Sequence, residues 1–250
     1  MKDGAPMPKL LHDPRTVARD VPGLFEAVFP RLTASVVAYL NKRKSSVPGI
    51  LPISAELVER SSLDHAMLFE LGVAAGEMLL TSGSANWEEC KRVALARQRR
   101  YFDAELPDKI TDVDQAIAER VGRNIATSIG QFAAERGQPV IIAPLIPGLR
   151  WVSSGHGDFS TGSSLIEVKC SNRNFSAADY RQVVLYWLLG YAAAVENRGQ
   201  EWSEGILLNP RLGHYVSFKF DEILHVIGAG RTKVEALQLF ASMVGDDRLR

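Results

Sequence analysis

An α/β fold is expected from three features of the chain. Residues 107–225 read in the order helix, three strand-like segments, helix, two strands, the alternation of a sheet covered by helices. Residues 23–106 place apolar side chains at helical spacing. The composition, 46% hydrophobic and 23% charged over 250 residues, is that of a globular protein with a sizeable core.

Residues 1–22, with Pro6, Pro8, Pro14 and Pro22, read as a loose lead-in. Phe25, Val28, Phe29, Leu32, Val36 and Leu40 predict a helix from Phe25 to Lys44, ending in Lys42-Arg43-Lys44. Val47 to Ile53 is a linker, and a further helical stretch starts near Ser54. His65 to Leu80 is dense in Ala66, Gly72, Ala74, Ala75 and Gly76, which predicts a closely packed, buried helix. Trp87 to Phe102 forms the next helix. Together these make a helical N-terminal region over 23–106, packed on a core at 107–225.

The core opens with a long amphipathic helix, Asp112 to Arg136, striped by Val113, Ile117, Val121, Ile125, Ile129 and Phe132 and capped by Gly137. Strands are expected at Pro139–Ile146, Gly157–Ser160 and Ser164–Ser171. A helix follows from Ser176 to about Asn197, with Ser176 as N-cap and Asp179 three residues on. Strands at Gly205–Leu208 and His214–Phe220 flank the turn Asn209–Gly213. A short helix, Lys233 to Val244, lies in the C-terminal segment 226–250.

Several classes are excluded. Lys plus Arg and Asp plus Glu both number 29, so bulk charge cannot hold a polyanion and any nucleic-acid binding must come from local patches. Cys90 and Cys170 alone build neither a four-cysteine site nor a disulfide framework. No apolar signal-peptide core or membrane-length run is present, so a cytoplasmic protein without a membrane partner is expected. The five histidines lack zinc spacing, and no phosphate-binding G-x-x-x-x-G-K-[ST] loop occurs.

The chemistry concentrates in Gly157-Asp158-Phe159 and Leu165-Ile166-Glu167-Val168-Lys169-Cys170. Alternation puts Glu167 and Lys169 on one face of their strand and Ile166, Val168 and Cys170 on the other. A hairpin would bring Asp158 beside Glu167. Two carboxylates and a lysine at one point suit a hard divalent cation and an attacking water. On the next helix Asp179, Gln182 and Tyr186 form one polar stripe.

These residues resemble the PD-(D/E)xK nuclease superfamily of restriction endonucleases, RecB-type exonuclease domains and archaeal junction resolvases. Asp158 matches its metal-binding Asp, Glu167-Val168-Lys169 its E-x-K, and Gln182 with Tyr186 the Q-x-x-x-Y motif of the RecB-like branch. The family's core fits residues 112–220, a little under half of the chain. Gly157 stands where the family has Pro, and two cysteines rule out its iron–sulfur branches. The resemblance implies Mg²⁺- or Mn²⁺-dependent phosphodiester hydrolysis, with DNA as substrate. Asp158, Glu167 and the Val168 carbonyl would hold the metal, Lys169 would serve the water, and Gln182 and Tyr186 would support the site. It also implies a prokaryotic defence or repair system, with a separate helicase, ATPase or sensor subunit for recognition, and it leaves room for oligomerisation. Glu119 is the candidate upstream acid; its alternative role is as a solvated i,i+4 partner of Arg123.

Arg97, Arg99 and Arg100, in the strip that begins at Lys91 and Arg92, are expected either to track DNA phosphates or to form a solvated helix face. Arg211 is a further candidate backbone contact. Two other functional readings remain: a scaffold subunit docking through 23–105, and a nucleic-acid-binding module with a silent site.

Overall fold

The computed structural model describes residues 12–21, 23–99 and 109–245, in which the apolar stripes fold against both faces of one sheet. In chain order the strands are β1 (Ser45–Ser46), β2 (Val140–Ile142), β3 (Leu145–Ile146), β4 (Gly155–His156), β5 (Phe159–Thr161), β6 (Ser164–Val168), β7 (Glu204–Asn209) and β8 (His214–Lys219). Six form a mixed, mostly antiparallel sheet in the order β1-β8-β7-β6-β5-β2, while β3 and β4 pair separately. Its one parallel pair is β6–β7, joined by the crossover helix α8 (Ala177–Val195).

Strand alternation sorts the core. Ile166, Ile206 and Leu208 face the side that holds α4 (Ala55–Glu59, capped by Ser54), α5 (His65–Ser82), α6 (Trp87–Gln98) and α7 (Asp112–Arg136). Leu165 and Leu207 face α8, with α1 (Pro14–Asp20), α2 (Leu24–Val28), α3 (Ala34–Asn41), α9 (Phe220–Ile227) and α10 (Lys233–Met243) on the same side. The described helices of residues 23–99 are shared between the two faces of the sheet, α2 and α3 on one and α5 and α6 on the other. Helix α8 is apolar almost all round because the sheet covers one side and the N-terminal helices the other.

Helices α7 and α8 follow the sequence closely, each with a capping box, Thr111–Asp114 and Ser176–Asp179. Asp114 is also fixed by Ser61 and Ser62. Against the burial that would raise it, hydrogen bonds from Ser61, Thr111 and Ser62 hold its pKa well below the carboxylate range. The small residues of α5 serve close approach to α7: a Cβ on Gly72 would meet Val121 Cγ1 at 2.6 Å, and one on Gly76 would meet Ile125 Cβ at 2.9 Å.

Other expectations are corrected. The helix expected over Phe25–Lys44 is two helices, α2 and α3, interrupted at Pro30 and restarted by the N-cap Thr33, whose hydroxyl accepts the Val36 N–H. The lead-in contains α1, capped by Asp13 with Pro14 at its first position. The linker is tied down: β1 pairs with β8, Val47 N–H donates to Gly213 O, and Ile53 N–H to Arg211 O. The strand expected at Pro139–Ile146 divides into β2 and β3, because Pro144 lacks an N–H and Ala143 before it turns to φ 50°. Residues 1–11 of the lead-in and 100–102 of the predicted helix lie outside the described residues. Among the described residues no helix is long and apolar enough to cross a membrane.

The α5–α7 contact is testable with two glycines. Gly72→Ala should cost about 1–3 kcal/mol by overpacking against Val121. Gly130→Ala, within α7 with nothing within 4 Å of the added Cβ, should gain about 0.5–1 kcal/mol. Urea midpoints check both, and equal shifts would contradict the packing described.

Candidate active site

The β5–β6 hairpin pairs Phe159 with Ile166, and one step further along that register Asp158 stands opposite Glu167. Asp158 Oδ2 accepts the Val168 N–H at 2.7 Å, which locks the carboxylate against the end of β6. Its backbone carbonyl accepts the Ala143 N–H at 2.9 Å, so the kink between β2 and β3 sets its height. Both carboxylates thus occupy the face covered by α8, as strand alternation requires.

Glu167 is only 3% exposed. Its Oε1 accepts from Lys169 Nζ at 2.9 Å and from Gln182 Nε2, while Oε2 is buried without a hydrogen-bond partner. Lys169 Nζ also donates to Gln182 Oε1 at 2.9 Å, and Gln182 Nε2 donates to the Tyr186 hydroxyl oxygen at 3.0 Å. Asp179 Oδ1 stands 4.0 Å from Lys169 Nζ. One turn of α8 therefore fixes the E-x-K pair through a single amide. Burial pushes the Glu167 carboxyl up to about 7, with repulsion from Asp158 adding to it and Lys169 opposing it. Burial likewise raises the Tyr186 hydroxyl far above its ordinary range, so it stays neutral.

A second charged group lies on α5 and α6. Arg97 of α6 donates to Glu70 at 2.9 Å and to Glu77 at 2.7 Å, both on α5. Burial raises the Glu77 carboxyl, opposed by Arg97, and the charges of Glu70 and Asp158 raise it further. Burial raises the Cys170 thiol strongly, with Asp158 adding to it, so that thiol stays protonated. Arg15 of α1 exerts its charge on Glu167 and Tyr186. At the far end of β7, Asn209 Nδ2 donates to Ser171 O at 2.8 Å, tying the turn after β7 to the strand end after Lys169.

The structure thus brings together Asp158, Glu167, Val168, Lys169, Gln182 and Tyr186. Glu119 is not among them: it lies on the outer face of α7, paired with Arg123. Its position two residues from inward Ile117 and Val121 turns it away from the sheet. Arg97 is committed to Glu70 and Glu77, Arg99 is the exposed C-cap of α6, and Arg100 lies outside the described residues. Arg211 is not a surface contact; it is 3% exposed, with its guanidinium over the Phe69 ring. The sequence reading missed Glu70, Glu77 and Arg15. The first two were accessible in principle as acids at i and i+7 on a helix otherwise rich in apolar and small residues.

Against known proteins, the chain matches no family model and no curated sequence. Among the described residues no group of three or more His, Cys, Asp and Glu side chains is arranged to hold a metal. The oxygen donors that the register brings opposite one another are the carboxylates of Asp158 and Glu167, hard ligands of the kind that leave Mg²⁺ several waters. The orphaned Oε2 of Glu167, beside Asp158, fits such an ion.

The raised Glu167 carboxyl has a stability consequence. The unfolded chain releases this proton near 4.5 and the folded chain near 7, so the folded state binds more protons between them and loses stability as pH rises through that window. In chelator, Glu167→Gln should match wild type at pH 4 and exceed it by on the order of 1–3 kcal/mol above pH 7. A variant less stable than wild type at pH 8 would contradict the description of this site.

Proposed function

We propose that this chain is a metal-dependent nuclease hydrolysing phosphodiester bonds in DNA. The observation that carries the reading is the orphaned Glu167 Oε2 beside Asp158, with Oε1 clamped by Lys169 and Gln182. The hairpin, the parallel crossover through α8 and the long helix α7 on the opposite face support a PD-(D/E)xK-type core.

Asp158, Glu167 and the Val168 carbonyl would hold the ion. A divalent cation there supplies charge neutralisation for the phosphate and acidity for a bound water. The remaining steps belong to the protein. Lys169 has three N–H donors, of which Glu167 and Gln182 take two, leaving one for the attacking water or a phosphate oxygen. Gln182 occupies Glu167 Oε1 and so leaves Oε2 as the oxygen free to bind. Neutral Tyr186 accepts from Gln182 and fixes the amide's orientation. Gln182 and Tyr186 are positioning residues.

Lys169→Ala should reduce cleavage of labelled DNA in Mg²⁺ or Mn²⁺ by at least about 100-fold, the range of one positioned proton-transfer group. Asp158→Asn should lose both cleavage and metal affinity. Melting at pH 6, where the raised Glu167 carboxyl is largely protonated, separates lost chemistry from lost folding. Wild-type cleavage in both variants overturns the nuclease reading. A wild type that never cleaves but binds DNA or a protein partner replaces it with a silent binding or scaffold subunit.

A further inference from the structure

Three cations of the basic strip on α6 are paired within the fold, while Arg99 at its end is exposed. Lys91 pairs with Glu88, Arg92 with Glu89, and Arg97 with Glu70 and Glu77. Among the exposed cations that make no ion pair with any described carboxylate, four lie on adjoining segments: Lys42, Arg43 and Lys44 at the end of α3, and Arg173 on the loop between β6 and α8. Two hydrogen bonds join these segments into one surface. Asn41 Nδ2 donates to Phe175 O at 2.8 Å, and Lys44 Nζ donates to Asn174 Oδ1 at 2.5 Å.

We infer that this surface is the track for the DNA backbone. The inference rests on the nuclease reading and adds where the substrate lies. Four like charges on adjoining segments without paired counter-charges repel one another, and in a chain of zero net charge such a patch is a local feature that attracts a polyanion. Its place is set by the chain itself. Arg173 is four residues beyond Lys169, so their Cα atoms are at most about 14 Å apart. Phosphates of one strand follow at about 3.4 Å along the helix axis, which puts the patch within a few nucleotides of a phosphate at Lys169. The strand would pass from the end of β6 across the 171–175 loop toward the end of α3.

The test is binding of a short fluorescein-labelled DNA duplex, read by anisotropy in EDTA across about 50–200 mM salt. The combined variant Lys42→Gln, Arg43→Gln, Arg173→Gln should bind about tenfold or more weakly at the upper salt concentration. Its slope of log K against log salt should be shallower by about two to three, close to 0.9 for each phosphate that the protein no longer neutralises. Lys91→Gln with Arg92→Gln should leave the slope unchanged. Should the combined variant fail to fold by circular dichroism, Arg173→Glu alone, on its exposed loop, should weaken binding in the same direction. An unchanged slope overturns the track, even if wild type cleaves DNA and the nuclease reading stands. No binding by wild type also overturns it. A wild type whose binding depends on these residues, but which cleaves neither this duplex nor single-stranded DNA in Mg²⁺ or Mn²⁺, upholds the track and removes the nuclease reading.

Discussion

A carboxylate buried at the end of a strand must be compensated by its neighbours, and the arrangement around Glu167 follows from that requirement. Lys169 supplies the counter-charge from two residues along the same strand, and Gln182 supplies neutral donors from α8. The lysine is itself held by Gln182, so removing any of the three leaves a buried polar group exposed to a cost it now avoids. This triangle requires α8 to lie at a fixed height over β6. The parallel β6–β7 pairing demands a crossover of helical length, and the packing of α1 and α3 on the outer side holds that helix down. The N-terminal helices thus serve the site although they contribute few of its polar groups.

Much of this arrangement was legible in the sequence, for identifiable reasons. The stripe of α7 runs seven turns without a Pro and ends on Gly137, so its bounds were readable to the residue. The facing of Asp158 and Glu167 followed from period-two alternation and one hairpin, which are local rules. Where the reading erred, a competing rule was present but was outweighed. Pro30 interrupts an apolar stripe that would otherwise pass as one helix, and Pro144 does the same inside an apolar strand. The strand β1 has no signal at all, being two serines paired only because the chain passes the edge of β8. Helix α9 carries Phe220, Ile223, Leu224 and Ile227 at ideal spacing, but that run begins where the alternation of β8 ends.

Charge was the least legible property. A run of arginines and lysines states its sign but not its partners, and partners are set by tertiary packing. On α6 the glutamates at i−3 and those of α5 absorb the cations. At the end of α3, Lys44 meets the neutral side-chain amide of Asn174 and no described carboxylate.

The same logic explains why α7 contributes no acid beside Asp158 and Glu167. Helix α7 lies flat on the sheet, so its inward positions are taken by Ile117, Val121 and Ile125 and its acids must point outward, where Glu119 pairs with Arg123. Helix α5 packs closely on α7 through Gly72 and Gly76, and its acids Glu70 and Glu77 are held by Arg97 of α6. Beyond Val168 the sheet no longer separates its two faces. There Glu77, on the α5 side, feels the charge of Asp158 from the other side, and Cys170, although directed to the α5 side, feels it as well. The negative potential of the cleft is therefore assembled across the sheet's edge. Arg97 limits it from α5's side and Lys169 from α8's, which leaves the Glu167 oxygen Oε2 buried beside them without a partner.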